Sequence, residues 1–277
     1  MIISAKIIED SMSPGGNRLT TLELCYPRFI HGEFMTHRVF SRNAMSSRAI
    51  PVAKMIDQVR DDPVVPMHWG ANQPGMQASN EVAYPVMLEA IDVWRKAAND
   101  AANRAQQLLG LGIHKQVANR LLEPFQWMRT IVTATEWENF FALRNHKDAE
   151  PHFQLLAQVM ARAMSESVPI RRPNTPYDEL GWHLPYVTYG ERQSVKFHNL
   201  PKISAARCAR VSFLTHDGAS PSLEADLALY ERLVGSVPMH SSPVEHQACA
   251  GPLGFGASGN FIGWAQFRKG LEFKNAE

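Results

Sequence analysis

The sequence predicts one large domain that mixes strand and helix, α/β or α+β, in which an early strand is followed by several long helices. Three observations predict it. Polarity alternates over residues 19–25 (LTTLELC), apolar residues recur at helical spacing over 85–110 and 150–165, and 277 residues suit one large domain. Length alone would admit α/β as readily. Hydrophobic residues make up 45% and charged residues 20%, a globular composition that excludes disorder for most of the chain.

The charge balance narrows the function classes. With 28 basic and 27 acidic side chains the net charge is +1, so no global field draws the chain to nucleic acid or to an anionic membrane. No stretch approaches the roughly 18 apolar residues of a membrane span, and MIISAKIIEDSMS lacks the apolar run of a signal peptide; a cytoplasmic location is expected. Cys25, Cys208 and Cys249 form no C-x-x-C pair, which argues against a disulfide framework and a zinc site.

The elements follow in order. The strand over 19–25 ends at Pro27 and leads into a helical segment from about Phe29. Residues 36–50 (THRVFSRNAMSSRAI) are dense in Ser, Asn and Arg, as in a ligand-facing loop. Met87, Ile91, Trp94, Ala98, Ala101, Ala105 and Leu108 mark one amphipathic helix closed by Gly110 and Gly112. A shorter helix runs from about His114 to Pro124.

Thr135 and Glu138 have capping-box spacing, so a helix carrying Asn139 and Arg144 is expected to start there. Another, from Glu150 to about Ser165, places Phe153, Leu156, Met160 and Met164 on one face. Five prolines and weak periodicity make 166–203 an irregular connection. Thereafter ARCARVSF reads as a helix end or strand, and Ser220-Pro221-Ser222 opens a helix through Leu223, Leu227, Tyr230 and Leu233.

Two motif-like features are better read as structure. Gly254, Gly256 and Gly259 fit G-x-G-x-x-G, but too little chain follows for a βαβ unit, so a glycine turn is the expectation. His240 and His246 flank Glu245, yet Pro243 and their spacing keep them off one helix face, which argues against a metal pair.

The loop H-R-x-x-S-x-N-x-x-S-x-R, at His37, Arg38, Ser41, Asn43, Ser46 and Arg48, resembles the signature loop of the flavin-dependent thymidylate synthases. Three further segments agree with that family: Asn139-Phe-Phe-Ala-Leu-Arg144, Ala209-Arg210-Val211-Ser212-Phe213, and His240-Ser-Ser242-Pro243-Val-Glu245-His246. In the family the last two precede the loop, whereas here they follow it. The resemblance therefore implies a circularly permuted chain of α+β class, with one catalytic domain over 1–277, a mixed sheet flanked by helices, and 166–203 as the join.

The resemblance also implies an activity: one-carbon transfer to C5 of dUMP, giving dTMP, with FAD, methylenetetrahydrofolate and NADPH, in a homotetramer whose sites are shared between subunits. Independently, none of the three cysteines sits in the activated setting that a cysteine-based methylation needs. By motif match Arg144 is the arginine that polarises the uracil ring, as a permanent cation beside developing negative charge. Ser46, Ser47, Arg48 and Arg120 match substrate contacts, the first three at the phosphate. His37, Arg38, Asn43, Asn139, His240 and Ser242 match FAD contacts.

Several positions depart from the family. Thr36 replaces an arginine, Glu33 a substrate-contacting glutamine and Ala44 a glutamate; Thr133 and Thr135 stand where a cofactor-binding Asn and Arg are expected. The changes at 33 and 36 make the loop more negative, with Arg42 a candidate compensator. A carboxylate at 33 accepts where an amide also donates, which leaves open a substrate bearing an amine, such as dCMP, or a 5-hydroxymethyl product. The lost arginine leaves open a non-catalytic nucleotide- or flavin-binding relative.

Overall fold

The structure, a computed structural model, describes residues 1–78, 80–211, 221–250 and 257–274. Two antiparallel strands, β1 (Ser4–Met12) and β2 (Arg18–Pro27), open the chain. A 3-10 turn (Arg28–Ile30), a single helical turn α1 (His31–Phe34) and the edge strand β3 (Ser41–Ala44) follow. Next come α2 (Val52–Asp61), the long α3 (Tyr84–Gly110), α4 (Lys115–Ala118) and a 3-10 helix (Asn119–Phe125). The strand β4 (Trp127–Ala134) leads to α5 (Glu138–Arg144) and α6 (Pro151–Glu166).

The first sheet has the order β3-β4-β2-β1 with β5 (Ile170–Arg171) added in parallel to β1, so it is mixed and the α+β expectation holds. Period-two alternation assigns its two faces. Leu22, Leu24 and Tyr26 of β2 and Met128 and Val132 of β4 meet Phe153, Leu156 and Met160 of α6 in the main core. The other face carries Thr21, Ile131 and Thr133, and the C-terminal half of the chain covers it. Thus β2 is buried on both faces rather than half-buried.

The 166–203 stretch consists of short elements: β5, β6 (Trp182–His183), α7 (Tyr189–Ser194) and the start of α8 (Leu200–Ala209). Strand β6 joins β7 (Ala248–Ala250) and β8 (Trp264–Gln266) in a second, antiparallel sheet, whose Ala248, Ala250 and Trp264 pack on Leu19. After α8 the described residues form α9 (Leu223–Val234) and a last helix, α10 (Phe267–Lys274). No helix among the described residues is long and apolar enough to cross a membrane.

Local signals account for several boundaries. Glu150 caps α6 by accepting from the Phe153 N–H, and Ser222 caps α9 by accepting from the Ala225 N–H. Gly112 closes α3 at a φ of 77°, a left-handed conformation that favours glycine. The capping box expected at Thr135 does not form. Trp137 is the N-cap of α5, and the Thr135 hydroxyl accepts instead from the Ile262 N–H at 3.0 Å, because the C-terminal segment reaches it first. Ser41–Ala44, expected as loop, pairs with β4; its polar side chains point to protein partners, so sequence composition hides the strand. Ser212, Phe213, Gly254 and Gly256 lie outside the described residues.

A buried ion cluster fastens the C-terminal helices. Asp226 is fully buried in α9 and accepts from Arg207 at 2.8 Å and from Arg210 at 2.6 Å. Arg207 also donates to Glu191 and to the Tyr186 carbonyl, holding Tyr186 at a φ of 63°, a strained conformation for a bulky residue. Removing the shared anion takes the carboxylate from Arg210, a mostly buried cation, and leaves Arg207 with Glu191 alone. Asp226→Ala is expected to lower the unfolding free energy by about 3–5 kcal/mol, measured by urea denaturation.

Candidate active site

The turn after α1 builds one wall of a cleft. Arg42, on β3, donates to the carbonyls of Phe34 at 3.1 Å and His37 at 2.9 Å, and the Thr36 hydroxyl donates to the Glu33 carbonyl at 2.7 Å. Arg42 is therefore committed to holding this turn. The opposite wall is α5, delivered by β4. Between them lies a cavity of about 360 Å³ lined by Thr36, His37, Arg38, Glu136, Glu138, Asn139, Phe140, Leu143 and Arg144 among others.

Arg144 ends α5, where a cation also meets the negative end of the helix dipole. Its Nε donates to His37 Nε2 at 3.0 Å and its Nη1 to Glu33 Oε2 at 3.0 Å, and its guanidinium carbon sits 4.6 Å from the Phe153 ring centre. Three contacts thus fix the plane of the group. The Nη2 nitrogen has no protein partner among the described residues. His37 can accept this bond only when neutral, which puts its own proton on Nδ1. Burial, then the nearby Arg144 and Arg42 charges, push the His37 imidazole down to about 4, so that form prevails at neutral pH. Its ring packs edge-on to Phe140, with centres 4.9 Å apart.

Arg38 and Asn139 line the same cleft, both exposed and without a protein partner among the described residues. With Val39, Phe140 and Leu143 they give the cavity apolar walls and polar rims, a donor set that fits the edge of a planar heteroaromatic group such as a flavin ring. The volume is near the lower end for ligand pockets, enough for a ring system rather than for a whole dinucleotide. Thr36 keeps its position at the cleft rim, although its hydroxyl is turned to the backbone.

The histidine stretch near the C-terminus comes to the same sheet. The Ser242 hydroxyl donates toward Asn43 Oδ1 at 3.0 Å and the Arg42 carbonyl at 2.9 Å, and Asn43 Nδ2 donates to the Cys208 carbonyl at 2.8 Å. Thr133 does not reach the cleft. It is fully buried, its hydroxyl 2.7 Å from Thr21 Oγ1 and 2.8 Å from His246 Nδ1; Thr21 continues to His183 Nε2, and His183 to Ser11. His246 Nε2 is buried without a partner among the described residues, and burial holds this imidazole down to about 3. His240 is exposed and away from the cleft lining.

A second polar cluster lies beyond the far end of β3. Asn119 Nδ2 donates to the carbonyls of Ser47 at 2.6 Å and Ile50 at 2.9 Å, fixing the loop. Ser47 Oγ and Arg120 both donate to Glu123, and so does Arg28. Ser46 is half-buried, while Arg48 is exposed with no partner among the described residues. Sequence reasoning missed Asn119, Glu123 and Arg28, because Arg28 and Glu123 are 95 positions apart and neither lies in a motif. Within one chain, then, Arg144, His37, Glu33, Thr36, Arg38 and Asn139 form one group and Ser47 with Arg120 another.

The family model "Thymidylate synthase complementing protein" matches residues 11–170, more than half of the chain. The chain belongs to this family, and it is a flavin-dependent thymidylate synthase-like methyltransferase acting at C5 of a pyrimidine nucleotide. The matched range holds the His37 loop and the Arg144 helix, whereas the segments at 209–213 and 240–246 lie beyond it. Crystal structures of a UMP/dUMP methylase, PolB, from Streptomyces cacaoi, bound with 5-Br UMP and with 5-Br dUMP, are similar at TM-scores of 0.48 and 0.47. Their identities to this chain are 17% and 15%, over 59% of this chain and 89% and 90% of theirs. No curated protein matches.

The depressed imidazoles make stability pH-dependent. In the unfolded chain His37 takes up a proton near 6.5, in the folded protein only near 4, so between these values the unfolded state binds more protons. Stability is flat above pH 7 on this account and falls as pH drops from 6.5 toward 4. His37 contributes to this loss over that window, and His31, also held near 4, adds to it. Urea unfolding at pH 7.5 and pH 5 should show the drop, and His37→Gln should make it smaller while His31 and His246 keep part of it.

Proposed function

We propose that the protein converts dUMP to dTMP, with FAD seated at the cleft between the His37 turn and α5. The observation that carries this reading is Arg144, fixed by Glu33, His37 and Phe153, with its Nη2 free of any protein partner among the described residues. When bound, FAD reduced by NADPH would supply electrons while methylenetetrahydrofolate supplies the one-carbon unit. Arg144 would donate to a carbonyl oxygen of the base and stabilise the negative charge that develops on the ring during attack at C5. Because it is already immobilised, little is lost in ordering it at that moment. His37, neutral and buried, keeps the guanidinium plane in place. Arg38 and Asn139 would hold the polar edge of the flavin.

The split into two polar groups supports a shared site. A small cleft in one chain is completed when a neighbouring subunit brings Ser46, Ser47, Arg48 and Arg120 to it as the phosphate end, in a homotetramer located in the cytoplasm. The contact between Ser242 and Asn43 supports the circularly permuted reading, since it joins segments 199 positions apart at the sheet edge that carries the loop. Asn43 and Ser242 would then shape the floor of the cofactor site.

Glu33 favours a second reading. One of its oxygens is bonded to Arg144, and the other, Oε1, remains as an acceptor beside that donor. This pair suits the N3–H and carbonyl of uracil, and it suits equally the amino group and N3 of cytosine. Incubation of the purified protein with methylenetetrahydrofolate, NADPH and either dUMP or dCMP distinguishes them by product mass. The expected result is a yellow protein that gives dTMP from dUMP; a colourless protein that takes up no FAD would refute the proposal. Arg144→Ala should lower kcat at least about 100-fold while the flavin absorbance persists.

A further inference from the structure

The anion cradle around Ser47 already contains an anion. Glu123 lies near the end of the 3-10 helix Asn119–Phe125, followed by Pro124, and its Oε1 accepts from Arg28 Nη2 at 2.9 Å, Arg120 Nη1 at 2.9 Å and Ser47 Oγ at 3.1 Å. Three donors converge on one oxygen. Two guanidinium groups and a hydroxyl arranged in this way are what a phosphoryl oxygen takes up. Arg28 is mostly buried, so the cradle is held from beneath, while Arg120 is exposed; Arg48, next to Ser47 in the chain, is exposed without a protein partner among the described residues.

We propose that Glu123 is an internal counter-anion seated in the phosphate cradle, and that it determines how strongly the protein prefers a phosphorylated ligand over the bare nucleoside. The proposal rests on the nucleotide reading above. An incoming phosphate must either displace the carboxylate from Arg120 and Ser47 or bind beside it. In both cases it meets a negative charge within hydrogen-bonding range of the same donors. Glu123 therefore weakens phosphate binding and leaves the contacts to base and sugar untouched. It also keeps Arg28, Arg120 and Ser47 assembled when no ligand is present.

Glu123→Gln separates these two effects. The amide oxygen still accepts from Arg28, Arg120 and Ser47, so the cradle stays assembled, while the opposing charge is gone. The test is calorimetric titration of the FAD-loaded full chain with dUMP, deoxyuridine and inorganic phosphate. Glu123→Gln should bind dUMP at least tenfold more tightly than the natural protein, bind inorganic phosphate more tightly, and bind deoxyuridine within twofold of it. Arg120→Gln, an exposed change that spares the fold, should weaken dUMP at least fivefold without affecting deoxyuridine.

Unchanged or weaker dUMP binding by Glu123→Gln, an equal gain for deoxyuridine, or an Arg120→Gln protein that binds dUMP normally would overturn the proposal. If the natural protein converts dUMP and any of these results is found, only the role of Glu123 fails. If it binds neither dUMP nor deoxyuridine, the nucleotide reading fails and takes this inference with it.

Discussion

Much of this molecule depends on the buried hydroxyl pair Thr21 and Thr133, side by side on the second face of the central sheet. The two hydroxyls share one bond, and the proton and lone pairs left over need partners too, since sealing a polar group away unpaired costs about 1–3 kcal/mol. The chain supplies His183 from the proline-rich stretch and His246 from the C-terminal motif. Satisfying them brings the second half of the chain onto the sheet, and with it Ser242 onto Asn43. The same contacts explain why the stretch 166–203 is built into the body of the protein. His183 is completely buried there and bonded at both ring nitrogens.

On the opposite side of the sheet, aromatic packing and charge are combined at one point. Phe40, Phe140 and Phe153 pack on the His37 ring and, with Phe34 behind them, carry the core up to the base of the cleft. Their low polarity keeps His37 neutral, and only a neutral imidazole can accept from Arg144. Glu33 offsets the charge that Arg144 brings to this apolar surface. The two departures at 33 and 36 thus act in one local arrangement, with Glu33 bonded to Arg144, Thr36 turned to the backbone, and Arg42 used to clamp the turn.

How much was legible before folding differs from element to element. The helices α3, α6 and α9 could be read because their spacing, caps and closing residues are local: Glu150, Ser222 and Gly112 act on groups within a few positions of themselves. The cleft was legible through the H-R loop and the N-F-x-x-L-R helix, whose residues His37, Arg38, Asn139 and Arg144 do line one cavity. Thr135 was misread as a cap, since its hydroxyl goes to Ile262, a partner 127 positions away. Thr133, at a position where the resemblance expects a cofactor contact, is instead buried in the threonine and histidine chain.

By itself the sequence determined the α+β class, the long helices, the family resemblance and the identity of the arginine at the cleft, because each is encoded in short-range spacing or in a contiguous motif. Only the tertiary structure decided that Arg144 is paired with Glu33, that Glu123 occupies the cradle of Ser47 and Arg120, and that Ser242 meets Asn43. Except for the local pair Arg120 and Glu123, these contacts join side chains 76 to 199 positions apart. Their partners are chosen by which faces the sheet must bury and by where a charge can find its opposite, and no local pattern records that choice.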